Sequence, residues 1–141
     1  MSVEPVSAAL CVGDTLPELV RGPITRGTLA LFAGASNDHV LLHIDSDFAR
    51  AAGMDDVFAH GMLSMAYLGQ LLTGHFPQTR LREWHVRFVA ITPLHATVHC
   101  FAKVVDIFAD EGGRQLARLQ IGARTGNGLP TLAGHAVVAL D

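Results

Sequence analysis

Between Gly61 and His75 the chain offers almost no polar face, since Met62, Leu63, Met65, Ala66, Leu68, Leu71 and Leu72 fall on every side of a helical wheel. A helix apolar nearly all round must be buried, so the rest of the chain has to wrap it. Four later segments have the patterning to do so: Leu81 to Ala90, Ala96 to Phe108, Gln115 to Arg124 and Thr131 to Leu140. Turn signals at Thr92-Pro93, Glu111-Gly112-Gly113 and Gly126-Asn127-Gly128 separate them. Alternation is clearest where Leu116, Arg118 and Gln120 interleave with Ala117, Leu119 and Ile121. The reading is an α+β layer pair, an antiparallel sheet wrapped around one helix, in a single domain over 1–141.

Upstream, a short strand is expected near Glu18 to Arg21. Thr25 is placed to cap a helix through Leu29, Phe32 and Ala33, with Gly34 as its stop. Ser36-Asn37-Asp38 reads as a turn, because short polar side chains there compete for local backbone bonds. A second short helix is expected after Asp45 or Ser46, running to Ala52 and ending at Gly53.

With 50% hydrophobic and 16% charged residues, disorder is excluded, and the apolar excess points to self-association. A net charge of -3 gives no electrostatic reason to expect nucleic acid or an anionic membrane. Cys11 and Cys100 form no CxxC, which argues against a disulfide framework or structural zinc. The start lacks a basic region ahead of its apolar stretch, and no run is long enough to span a bilayer, so a soluble cytoplasmic protein is expected.

Candidate chemistry concentrates between Phe32 and Met65. Asp38 stands five residues before His43, and His60-Gly61 opens the apolar helix. On an ideal helix, residues five apart point about 140° away from each other, so the acid and the imidazole converge only if the segment bends. The first N–H groups of a helix lack internal partners, and a glycine there admits a ligand oxygen. Ser64, one turn on, can face the same space. His60 could reach the site, but the role expected of it is capping or packing. The remaining histidines show no metal-ligand spacing: His95 and His99, four apart, are read in one strand without a third ligand. Arg87 is expected to be solvated or ion-paired.

FAGASND (Phe32 to Asp38), the Asp38-to-His43 spacing, HIDSDFARAAGM (His43 to Met54), AHGMLSM (Ala59 to Met65), and VRF (Val86 to Phe88) followed by Pro93 together resemble the MaoC-like hydratases and dehydratases. With the closing strand Ala133 to Leu140, the similarity covers nearly the whole chain. The resemblance implies a hot-dog fold, a homodimer or higher oligomer with the site near the subunit interface, and reversible hydration of a trans-2-enoyl thioester, on CoA or an acyl carrier protein, to the (R)-3-hydroxyacyl thioester. It matches Asp38 and His43 to the catalytic pair and Gly61 to the amide that holds the thioester oxygen, and it implies no metal or redox cofactor. The chain departs from the family pattern at Val40 and Leu41, where Asn and Pro are usual, and near Gly69, where a hydroxyl residue is common. Rival readings are a hot-dog thioesterase, disfavoured because no carboxylate lies between Gly61 and Gly74, and a non-catalytic subunit that shapes the acyl tunnel of an active partner.

Overall fold

The structure, a computed structural model, describes residues 9–141. In chain order it has β1 (Leu19–Arg21), α1 (Arg26–Ser36), a 3-10 turn (Leu41–His43), α2 (Ser46–Ala51), α3 (Gly61–His75), a second 3-10 turn (Gln78–Arg80), β2 (Leu81–Phe88), β3 (Val98–Ala109), β4 (Gln115–Thr125) and β5 (Pro130–Ala139). The strands form one sheet in the order β1-β3-β4-β5-β2, antiparallel throughout. The first long strand therefore pairs with the last, and β2 is left on one edge with β1 on the other.

The sheet wraps α3, giving a hot-dog fold. Ala117, Leu119 and Ile121, the inward half of the β4 alternation, are buried with Val98, Cys100, Ala102 and Val104 of β3 against Leu63, Leu68, Leu71 and Leu72 of the helix. Gly69 and Gly74 inside α3 cost about 1 kcal/mol each relative to alanine. Burying four leucines, worth about 1.5–3 kcal/mol apiece, outweighs that. Gly69 is there for packing, because an added Cβ would lie 2.7 Å from Trp84 Cη2 on β2. At Gly134 of β5 a Cβ would lie 1.8 Å from the His85 carbonyl oxygen, so only glycine allows β2 and β5 to approach this closely.

Three expectations are corrected. Gly34 does not stop α1; the helix runs on to Ser36 and Asn37 closes it in the left-handed conformation, φ 58°. A glycine on the exposed face of a helix weakens it without breaking it, whereas asparagine tolerates the left-handed cap. The second correction concerns α3, which is not buried all round: Met62, Ala66, Gln70 and Thr73 form an exposed stripe, since one sheet covers one side of a helix. His95 is not on a strand with His99 but in the preceding turn, at φ 69°. Among the described residues no helix is long and apolar enough to cross a membrane.

Candidate active site

The bend that convergence requires begins at the end of α1. Ser36 Oγ donates to the Phe32 carbonyl (2.6 Å), Asn37 reverses the backbone, and the Asp38 N–H donates to Ser36 Oγ (3.3 Å). Asp38 Oδ1 then accepts from the Val40 N–H (3.3 Å), and the His43 N–H closes the 3-10 turn on the Val40 carbonyl (3.0 Å). Side-chain and backbone bonds thus shape the loop without the usual proline, while Val40 and Leu41 point about half exposed into solvent. The result sets Asp38 Oδ2 4.0 Å from His43 Nε2.

Backbone carbonyls fix the protons on both nearby imidazoles. His43 Nδ1 lies 2.7 Å from the Phe58 carbonyl, which can only accept, so Nδ1 carries a hydrogen and Nε2 is the ring atom turned toward Asp38. His60 Nε2 likewise donates to the Asp38 carbonyl (3.0 Å). Its ring stacks on His43 at a centroid distance of 4.0 Å, with Phe32 edge-on to His60 and Phe58 edge-on to His43. Burial is the main cause that pushes the His60 pKa below 6.5, opposed by its bond to Asp38. A neutral His60 beneath His43 adds no positive charge there. His60 packs, as expected from the sequence, and it also reaches the site, with its ring against His43 and its Nε2 on the Asp38 backbone.

Asp38 stands on the wall of a cleft of about 470 Å³, whereas His43 does not itself line it and meets the cleft only through its 4.0 Å approach to Asp38. Gly61, Met62, Ser64, Phe88, Ile91 and Leu132 also line this cleft, so the α3 start and the acid face one space. His60 caps α3 without a side-chain bond to its first turn; its carbonyl accepts from the Leu63 N–H at 3.0 Å, while Gly61 and Met62 line the cleft. A Cβ on Gly61 would come within 3.0 Å of the Phe88 ring, so glycine also keeps the mouth open. Ser64 is 1% exposed and its Oγ has no partner, an uncompensated hydroxyl at the cleft wall. A second cleft of about 510 Å³ on the opposite sheet face contains Glu18 and Arg124, already bound to each other at 2.6 Å. Glu18 also stands 3.6 Å from His99 Nδ1, but there the carboxylate is already engaged by a guanidinium and the start of α3 does not line the cleft.

Asp38, His43 and His60 each bring one donor atom within 4.8 Å of the others, the composition of a metal site. The rings are nearly parallel, at 26°, and both are pinned by carbonyls, so their in-plane lone pairs run side by side and do not converge. The geometry favours an acid–base pair. Arg87 is exposed, and the structure gives it no part in the site.

The chain matches no curated protein. Among solved structures, it is similar to the (R)-hydratase from A. caviae involved in PHA biosynthesis (24% identity, 96% of this chain and 100% of that one, TM-score 0.81). It is also similar to the R-hydratase PhaJ1 from Pseudomonas aeruginosa (23%, 92% and 82%, TM-score 0.80). A third similar structure is the ChsH1-ChsH2 complex from Mycobacterium tuberculosis (19%, 94% and 100%, TM-score 0.79). These likenesses bear out the hot-dog fold. The model of the MaoC-like domain matches residues 11–122, which is most of the chain, and the protein belongs to the MaoC-like dehydratase family.

Proposed function

We propose that this protein reversibly hydrates a trans-2-enoyl thioester to the (R)-3-hydroxyacyl thioester. The observation that carries this reading is the 4.0 Å gap between Asp38 Oδ2 and His43 Nε2 at a cleft that also exposes the start of α3. Both atoms are acceptors when Asp38 is ionised and His43 neutral. A water between them donates one hydrogen to each and presents a lone pair to C3 of the substrate. As the O–C3 bond forms, Asp38 takes the water's proton while His43 holds the remaining hydroxyl hydrogen. The C2–C3 π electrons move toward the thioester, and the proton returns from the pair to C2, leaving Asp38 and His43 as they began. Each proton-transfer role is worth roughly 10²–10⁴ in rate. The Gly61 N–H, at the positive end of α3, receives the charge that builds on the thioester oxygen, a contact worth about 2.7–4 kcal/mol. Ser64 Oγ supplies a further polar contact within the cleft, and the scheme uses no cofactor.

Met62, Phe88, Val89 and Ile91 at the cleft are each about half exposed in the single chain, which supports a homodimer in which a second copy covers that rim. The thioesterase reading gains nothing, as α3 carries no carboxylate.

Purified protein mixed with crotonyl-CoA is expected to bleach the enoyl thioester absorbance, and Asp38→Asn to abolish the change. Free thiol appearing instead would establish a thioesterase. An Asp38→Asn variant at the wild-type rate would remove the mechanism.

A further inference from the structure

On the sheet face turned away from α3, β2 and β5 assemble three side chains that the hydration scheme does not use. His85 and His135 are directly opposite each other across the two strands, with ring centroids 4.9 Å apart. Glu83 lies two residues before His85 and so shares its face. An irregularity in the pairing between Leu81 and Glu83 sets Glu83 opposite Val137, diagonal to His135. Glu83 Oε2 is 3.5 Å from His135 Nε2, and one donor atom from each of the three residues lies within 4.8 Å of the others.

We propose that Glu83, His85 and His135 form a surface site for a late first-row divalent cation, zinc foremost. Two imidazoles and a carboxylate are a donor set suited to zinc, copper and nickel and poorly suited to magnesium or calcium. In a tetrahedral complex with bonds of about 2.1 Å, neighbouring donor atoms stand about 3.4 Å apart. The Glu83–His135 separation already has that length. The stacked rings of His43 and His60 are pinned by carbonyls, whereas these two are exposed or half-exposed and no backbone carbonyl holds them among the described residues. Rotation of His85 about its side-chain torsions therefore brings its lone pair onto the point that His135 and Glu83 face, and solvent completes the coordination. Of the neighbours on this face, Gln120 opposite His135 is neutral, and Arg87, two residues beyond His85, is exposed and free to swing away. Spacing along the sequence misses this group, because His85 and His135 stand fifty positions apart.

Bound metal would tie edge strand β2 to β5 and stabilise the fold by mass action. The test titrates metal-free protein with zinc chloride by calorimetry and follows thermal unfolding with and without the ion. One zinc per chain with micromolar affinity is expected, with a rise in melting temperature that magnesium chloride does not reproduce. His135→Ala and His85→Ala, both on the outer sheet face, should abolish the binding and the rise, while His43→Ala should retain them. Absence of saturable zinc binding would overturn the proposal and leave a plain Glu83–His135 ion pair. Binding that survives His85→Ala and His135→Ala would overturn it equally.

Discussion

Ser64 lets stability and activity be separated in one substitution. Its hydroxyl is buried at the cleft wall with no hydrogen-bond partner, and a polar group left in that state costs about 1–3 kcal/mol. Ser64→Ala removes the cost and adds a few tenths of a kcal/mol of helix propensity in the interior of α3. The lost oxygen leaves little void, so the unliganded variant should be more stable by about 1.5 kcal/mol. For a chain of this size that is a rise of about 3–6 °C in melting temperature. If the hydroxyl instead bonds the bound thioester, the same change forfeits about 0.5–1.5 kcal/mol of that contact, so kcat/KM for crotonyl-CoA should fall about 2- to 13-fold. The assays are thermal unfolding without substrate and steady-state hydration. A variant that melts lower and hydrates at the wild-type rate would refute the reasoning, placing Ser64 among satisfied core residues.

Packing and burial give two further expectations. Gly69→Ala would ordinarily gain about 1 kcal/mol of helix propensity, but its Cβ meets the Trp84 ring at 2.7 Å, and overpacking costs about 1–3 kcal/mol, so the melting temperature should fall. A rise would show that Trp84 is not seated on α3. Burial lowers the pKa of His60 and of His75 from 6.5, so as pH falls below 6.5 the unfolded chain takes up protons that the fold resists. Stability conferred by these neutral rings is present above pH 6.5 and is lost toward their depressed folded values. Urea midpoints should drop between pH 8 and pH 5, and His75→Phe should reduce that drop while changing little at pH 8; an equal drop in the variant would contradict it.

The turn chemistry made the long elements legible. Pro93, Gly112-Gly113 and Gly126-Asn127-Gly128 separated the strands, and the bounds of α3 followed from its apolar run and from the glycine at its start. That Asp38 and His43 act together was implied by the family resemblance, and helix geometry added only that the segment between them has to bend. Gly34 misled, since the cap depends on which residue takes the left-handed backbone, and Asn37 takes it here. Strand order was not legible, because the pairing of β2 with β5 is a long-range contact with no local signal. For the same reason the reading missed that the Phe58 carbonyl sets the His43 tautomer and that His60 holds the Asp38 backbone. Neither bond follows from residue type.

The account stands on Asp38 and His43 acting on one water as a unit, and a double-mutant cycle on crotonyl-CoA hydration measures that directly. Asp38→Asn and His43→Gln should each cost roughly 10²–10⁴ in kcat/KM, and the double variant should fall no more than a few-fold below the worse single one. Losses that multiply, or either single variant working at the wild-type rate, would contradict it.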